Sequence, residues 1–327
     1  MGFGLRKTLG LINYTLGISF GKFERLRRIS FILWTSYFKT LYGNPPYILF
    51  WGPALGDYLL FTPAIAYLFK ITRRKIWVLT HYPEVFENNP AVLIIPNNKD
   101  WKIEILKMMN FRMIQPEYTE FITDDKQKSP DNHIIREIAR KMNIINFNII
   151  PIQPLIYLKS NEIVKKTGKK PRIIIQSGST GANYFMLNKQ WHPERFQELI
   201  NLLLPTADVI QLGSVNDYKL EGAVDLRGKT SLRNAFGWLA GSDLFIGLVG
   251  FYMHAAKAVN CHSLIIYGGR EHPSQSGYAN NINLFTEMPC SPCWQWNQCD
   301  YNKQCMDLIS AKQVYKEVAA HLSSLQP

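Results

Sequence analysis

Short apolar runs alternate with amphipathic stretches along most of this 327-residue chain, from about residue 46 onward. The apolar runs predict buried strands at residues 47–51, 75–80, 92–95, 111–114, 147–150, 172–176, 209–212, 244–247 and 264–267. Stretches whose apolar residues recur at helical spacing predict helices at residues 57–70, 132–142, 193–204, 232–240, 252–259 and 311–322. Strands that alternate with helices indicate parallel sheets covered on both faces, and therefore an α/β fold.

The alternation is interrupted at residues 165–170, where lysines surround Gly168 and Pro171 follows. Such a segment is typical of a linker between domains. We therefore predict two Rossmann-like domains facing a cleft, one at residues 46–165 and one at residues 166–327. Hydrophobic residues make up 46% of the chain, which is enough for a sizeable core.

The first 45 residues carry seven basic side chains and one acidic side chain, Glu24, among many aromatic and aliphatic residues. No apolar run approaches the roughly 20 residues of a membrane-spanning helix. The segment instead predicts a basic amphipathic helix that lies on an anionic membrane surface. The alternative is a helix docked on the protein's own surface, with its basic face in solvent.

The formal net charge of +12 points to acidic partners, which are nucleotide phosphates, anionic lipid or nucleic acid. Much of this charge lies in the amino-terminal segment, and no nucleic-acid recognition motif accompanies it. We therefore expect no nucleic-acid partner.

Four of the five cysteines fall within sixteen residues, and these are Cys290, Cys293, Cys299 and Cys305. Their spacing would allow them to bind one structural metal ion, with free thiols or disulfide pairs as the alternatives. One further cysteine and no evident secretory signal favour a reducing cytoplasm over an oxidising compartment.

Asp57 lies at the first turn that leads from a predicted strand into a predicted helix. Ligands of open parallel sheets bind at such turns, beyond the carboxyl ends of the strands. Asp57 could cap the helix, or it could act as a general base that accepts a proton from an acceptor hydroxyl. We expect its position at a helix amino terminus to keep it ionised.

Three further loops at strand ends have the chemistry of a phosphate or nucleotide site. Small residues at 177–181 would let backbone amides approach a phosphate, followed by a lysine that could supply a cation. A glycine-bearing turn at 247–254 would offer free N–H groups, and the loop at 213–217 could contact a ribose or base. An ordinary loop and a packed histidine are the alternatives. The candidate ligand residues are Ser179, Thr180, Lys189, Gly213, Ser214, Gly250 and His254.

In their order along the chain, these segments resemble glycosyltransferase family 9, the bacterial heptosyltransferase-like enzymes of lipopolysaccharide and surface-glycan assembly. The resemblance extends from about residue 47 to residue 320. It rests on residues 55–64, 83–90, 189–191, 212–214, 225–232 and 253–256 and on the cysteine segment.

The resemblance implies a GT-B fold, with the acceptor in the first domain and a nucleotide-diphosphate sugar, most simply an ADP-sugar, in the second. It implies an inverting transfer without a catalytic metal. Asp57 matches the family's proposed base, whereas Lys189, the Ser179–Thr180 loop and the His254 turn match contacts to the donor diphosphate. The cysteine-rich insertion at 288–306 has a parallel in one branch that carries a metal-bound cysteine finger, which would make zinc or iron its ligand.

One departure from the family concerns the Asp-Ser/Thr-Gly triplet that usually precedes the histidine-bearing helix. This chain has Val249, Gly250 and Phe251 there, so a carboxylate and a hydroxyl are lost. The departure leaves room for a different donor sugar, or for a non-catalytic GT-B binding or scaffold protein.

The leading hypothesis is a cytoplasmic glycosyltransferase, peripheral on the inner face of the cytoplasmic membrane. It would move a sugar onto a glycolipid or surface-glycan acceptor.

Overall fold

The computed structural model describes residues 21–52, 54–96 and 101–324. The strands, all in parallel sheets, are β1 Ile48–Phe50, β2 Ile76–Thr80, β3 Val92–Pro96, β4 Met113–Ile114, β5 Arg172–Ile175, β6 Asp208–Gln211, β7 Val224–Asp225, β8 Leu244–Leu248, β9 Ser263–Gly268 and β10 Ile282–Phe285. The helices are α1 Gly21–Tyr42, α2 Leu55–Thr72, α3 Trp101–Met108, α4 Ile134–Lys141, α5 Pro193–Leu203, α6 Leu232–Ala240, α7 Phe251–Ala258, α8 Pro273–Ser276, α9 Gln304–Asp307 and α10 Ala311–Ser324.

The chain divides into two compact units. The first comprises the described residues up to Phe50, together with Leu68–His81 and Ala91–Gln115. Its sheet has the order β3-β2-β1-β4, and its core gathers apolar side chains of the strands and two helices. These core residues include Phe31, Phe38, Ile48, Trp77, Leu79, Ile95, Trp101, Ile105 and Phe111.

Helix α1 is docked on this first core along one face only. Phe31 and Phe38 are buried there, and the ring of Trp34 lies 6.3 Å from that of Trp77. On the other face Leu26 and Leu33 remain 51% and 63% exposed. The predicted amphipathic helix is therefore present over 21–42, whereas residues 1–20 of that segment lie outside the described residues. Across the described ranges, we find no helix with the length and hydropathy needed to cross a bilayer.

The second unit comprises Trp51–Tyr67, Tyr82–Pro90 and the chain from Pro116 onward. Its six strands have the order β7-β6-β5-β8-β9-β10, which is the doubly wound Rossmann order with β5 and β8 adjacent at its centre. Ligands of such sheets bind beyond the carboxyl ends of the two central strands. The loops that begin at Gln176 and Val249 therefore start at the expected ligand edge.

The predicted elements correspond closely to those observed, with a few exceptions. The predicted strand at 147–150 is wrong, because Phe147–Ile149 forms a 3-10 turn in which Ile149 is 60% exposed. Helix α3, the short helices α8 and α9, and strands β7 and β10 were not predicted. The α/β fold with two parallel sheets is confirmed. The division of roles between residues 46–165 and 166–327 stays a prediction.

Candidate functional site

Asp57 is the third residue of α2, inside the first helical turn, so it is not the residue that precedes the helix. The turn that carries it is tightly packed. A Cβ atom added at Gly56 would lie 3.6 Å from Cα of Phe251 and 3.7 Å from Cδ2 of His254. The beginning of α2 therefore contacts the beginning of α7.

The Asp57 carboxylate accepts hydrogen bonds from the side chains of Trp51 and Tyr118. Desolvation raises its pKa to about 7, although the charge of Lys189 and these hydrogen bonds act in the opposite direction. The expectation that the helix terminus keeps Asp57 ionised is therefore wrong, because burial outweighs the dipole. With this pKa, a substantial fraction of the carboxyl is ionised near pH 7, as a general base requires.

Lys189 ends a 3-10 turn that precedes α5, and its ammonium is paired with Glu271. The Lys189 Nζ and Glu271 Oε1 atoms are 2.6 Å apart, and the two side chains are only 18% and 5% exposed. Arg270 contacts the same carboxylate. Burial opposes ionisation of Glu271, yet the charges of Lys189 and Arg270 lower its pKa to about 2.

Arg270 is held in place by three further contacts. Its Nε donates to the Gln295 carbonyl at 2.9 Å, and its Nη2 donates to Gln127 Oε1 at 2.9 Å. The guanidinium also lies 5.0 Å from the ring centroid of Trp294. The carboxylate of Glu271 therefore lies between a fixed guanidinium and the lysine.

His254 lies in the first turn of α7 and is buried. Its Nδ1 is 2.6 Å from the Tyr278 hydroxyl, and desolvation lowers its pKa to about 3. It is therefore a neutral hydrogen-bonding group at physiological pH. At Gly250, just before α7, an added Cβ would meet no atom within 4 Å, so the helix terminus is open on that side.

The two remaining candidate loops are joined by Asp217, which is buried. Its carboxylate accepts bonds from Thr180 N at 2.8 Å, Thr180 Oγ1 at 2.6 Å and Ser214 N at 2.9 Å. Gly213 has a φ of 140°, and a Cβ added there would overlap the Asp217 carboxylate. The structure thus brings the loops at 177–181 and 213–217 together.

Gln190 connects this pair of loops to Lys189. It accepts a bond from Ser179 N at 3.2 Å, and its Nε2 donates to Ser179 Oγ at 2.6 Å. The Ser179 and Thr180 amides are thus bonded within the protein, and their contact with a donor phosphate stays a prediction.

The four clustered cysteines are free thiols. They line one pocket together with Asn188, Gly269 and Arg270. Desolvation raises the pKa of Cys293 and of Cys305. Over the described ranges, however, no three His, Cys, Asp or Glu side chains are placed to hold a metal ion. The geometry does not support zinc or iron bound by Cys290, Cys293, Cys299 and Cys305. Bound metal stays a prediction that elemental analysis of the purified protein tests.

Sequence reasoning missed Glu271, Arg270 and Tyr118. Glu271 and Arg270 had a detectable signal, since they follow directly after the buried strand β9, which ends at Gly268. Tyr118 had none, because only the tertiary fold brings its side chain to Asp57. Asp217 lies in the predicted loop at 213–217, but its bonds to Thr180 were not predicted.

Two Rossmann-like parallel sheets are typical of the GT-B fold, and the strand-end site of the second sheet carries a titratable carboxyl and a paired lysine. The family described as glycosyltransferase family 9 (heptosyltransferase) matches residues 150–303. The expected resemblance to this family is thereby confirmed over residues 150–303, and the protein is a glycosyltransferase. No curated protein sequence matches the chain.

Solved structures of similar fold include the iron-containing dodecameric glycosyltransferase TibC from enterotoxigenic E. coli H10407, with 15% identity and a TM-score of 0.67 over 86% of this chain and 77% of that one. ADP-heptose LPS heptosyltransferase II of E. coli has 13% identity and a TM-score of 0.60, over 86% of this chain and all of that one. A family 9 glycosyl transferase from Veillonella parvula DSM 2008 has 15% identity and a TM-score of 0.64, over 86% and 98%. At these identities the likeness establishes the fold.

Proposed function

We propose that this protein transfers a heptose or another sugar from a nucleotide-diphosphate sugar to a hydroxyl of a lipopolysaccharide or surface-glycan acceptor. The observation that carries the proposal is Asp57, whose pKa of about 7 suits a general base and whose charge interacts with that of Lys189. A TibC structure contains ADP-D-β-D-heptose, which supports an ADP-sugar as the first donor to test.

In the proposed reaction, Asp57 accepts the proton of the acceptor hydroxyl while the oxygen of that hydroxyl forms a bond to the anomeric carbon of the donor sugar. The bond from that carbon to the diphosphate oxygen breaks, and the nucleoside diphosphate leaves with the electron pair. Lys189 and the open amino terminus of α7 stabilise the negative charge on this leaving group. A single displacement of this kind inverts the anomeric configuration.

Calorimetry against ADP-, GDP-, UDP- and CMP-sugars, paired with transfer assays on glycolipid, tests the proposal. We expect one nucleotide class to bind, and the sugar to be transferred with inverted anomeric configuration. Donor binding without transfer to any acceptor would favour the non-catalytic scaffold. If none of these nucleotide sugars binds, the assignment of the donor site is contradicted.

We further propose that the exposed face of α1 contacts an anionic membrane that holds the acceptor. Ile29 is 48% exposed, and it shares this helix face with the exposed Leu26 and Leu33. Arg25 and Arg28, in the same turns of α1, are also exposed, although the Arg28 guanidinium lies 5.8 Å from the ring centroid of Trp101. An apolar stripe flanked by cations is suited to the interface of an anionic bilayer.

Vesicle co-sedimentation tests this membrane contact. The full chain should bind vesicles rich in phosphatidylglycerol and should not bind neutral phosphatidylcholine vesicles. The double variant Ile29→Ser, Leu33→Ser should lose binding, whereas Ile145→Ser, at a site that is 93% exposed in the second unit, should keep it. Equal binding by both variants would contradict a role for α1.

A further inference from the structure

The Lys189–Glu271 pair lies within a compact group of charged and polar side chains. Glu271 and Arg270 approach from the loop after β9, Asp57 from α2 and His254 from α7, and Tyr118 interacts with Asp57. His254 is neutral, and the Asp57 carboxyl is only partly ionised near pH 7. Glu271 is therefore the one permanently charged anion among these side chains.

Lys189 depends on that anion. Desolvation lowers the pKa of its ammonium and the neighbouring Arg270 charge acts in the same direction, whereas Glu271 raises it. A buried ammonium that loses its counter-ion tends to lose its proton. Without the Glu271 charge, Lys189 would face a fixed guanidinium and a carboxyl that is often protonated.

We propose that Glu271 is a positioning residue of the transfer reaction, which keeps the Lys189 ammonium charged and fixed beside Asp57. Glu271 does not touch the reacting atoms; it acts through Lys189, whose Nζ it holds at 2.6 Å. The role of Lys189 at the donor diphosphate rests on the proposed function, whereas the dependence of its charge on Glu271 does not.

The first test reads the charge of Lys189 without any donor. Competitive acetylation with acetic anhydride across pH, followed by peptide mass spectrometry, gives the pH at which the Lys189 amine becomes reactive. In Glu271→Gln this pH should fall by at least about one unit, as an ion pair of 1.4 kcal/mol or more requires. In Glu271→Asp, which keeps the charge, it should stay close to that of the native chain.

A matched control is the exposed pair of Lys219 and Glu221, whose Nζ and Oε1 atoms are 2.9 Å apart. Glu221→Gln should leave the reactivity of Lys219 almost unchanged, since water screens this pair. Unchanged reactivity of Lys189 in a folded Glu271→Gln protein would overturn the proposal, with folding checked by thermal denaturation. If Glu271→Gln fails to fold, Glu271→Asp provides the test. The proposal would then be overturned if the pH at which Lys189 becomes reactive fell by one unit in Glu271→Asp, although the charge is kept.

The second test reads donor affinity against pH with the nucleotide sugar that binds best. Glu271→Gln should weaken donor binding progressively as pH rises, up to about tenfold per unit, and should recover it at lower pH. The double variant Lys189→Arg, Glu271→Gln should lose this dependence, because a guanidinium stays charged. If Glu271→Gln instead loses the same amount of donor affinity at every pH, the role of Glu271 is purely structural and the proposal is overturned. If the native chain binds no donor, the proposed function fails, and the acetylation result alone decides the role of Glu271.

Discussion

At the scale of single residues, Asp57 is subject to two opposing effects. Its place in the first turn of α2 favours the anion, whereas desolvation favours the protonated form and raises the pKa to about 7. A base with a pKa near the working pH combines a useful fraction of ionised carboxylate with the ability to accept a proton. The pKa shift therefore agrees with the proposed chemistry better than a fully ionised carboxylate would.

This pKa predicts the pH dependence of transfer. The carboxylate must be ionised to act as base, so kcat/KM should rise through pH 7 and level off above it. Below that pH the rate should fall about tenfold per unit. Measurement of kcat/KM from pH 5 to pH 9 checks this, and a profile that stays flat down to pH 5 would contradict it.

Removal of the Lys189 charge should shift that profile to higher pH. The ammonium lowers the pKa of Asp57, so in Lys189→Ala this carboxyl should stay protonated to a higher pH. The acid limb of the kcat/KM profile should therefore shift to higher pH. Donor affinity should fall about 10- to 100-fold with the loss of a charged hydrogen bond. Lys219→Ala, an exposed lysine of the same unit, serves as the control. Movement of the acid limb to lower pH would contradict this account.

At the scale of elements, Asp217 couples two loops that start at the ends of different strands. Three donors of Thr180 and Ser214 share its carboxylate, and the Arg227 guanidinium donates to its carbonyl. The Asp217 carboxylate therefore connects the loops at 177–181 and 213–217, and we expect it to fix their relative arrangement.

Asp217→Ala should leave these donors without an acceptor, at a cost of about 1–3 kcal/mol for each one that stays buried. We expect a lower melting temperature and a donor KM raised at least about tenfold, as loss of 1.4 kcal/mol implies. Asp217→Asn, which keeps one acceptor oxygen, should lie between this variant and the native chain. An unchanged donor KM in a folded Asp217→Ala protein would show that these loops do not contribute to donor binding.

The four inner strands of the second sheet, β5, β6, β8 and β9, were predictable because buried parallel strands are nearly continuous apolar runs, as in Arg172–Ile175 and Leu244–Leu248. A run such as Phe147–Ile149 has similar composition, but it finds no partner strand and closes into a 3-10 turn. The two-residue strand β7 is too short to show any periodicity. Helix α3 is only eight residues long, so its apolar residues show too weak a helical periodicity to predict it.

The candidate site was predictable in part for a related reason. Asp57 and His254 lie in the first turns of helices that follow strands, and Lys189 lies in the connection between β5 and α5, so their sequence positions marked them as candidates. The partners that set their charge come from distant segments, and Glu271 lies 82 positions beyond Lys189 in the sequence. Desolvation of Asp57 depends on those partners, which is why its pKa could not be inferred from the helix terminus.

At the scale of the whole molecule, the doubly wound order of the second sheet explains why distant loops meet. Strands β5 and β8 are neighbours although about 70 residues separate them in sequence, so the loops after them begin at one edge. Asp57 joins that region through contact of its turn with α7. The central claim is therefore that Asp57 acts as base for a donor held in this unit.

The most direct test of that claim compares donor binding and sugar transfer in Asp57→Asn. The amide keeps the size of the side chain but cannot accept the proton, so transfer to the glycan acceptor should fall about 10²- to 10⁴-fold. Calorimetric affinity for the nucleotide sugar should stay close to that of the native chain, and Asp124→Asn, at an exposed loop, should keep both properties. Transfer at the native rate by Asp57→Asn would contradict the assignment of Asp57 as the base.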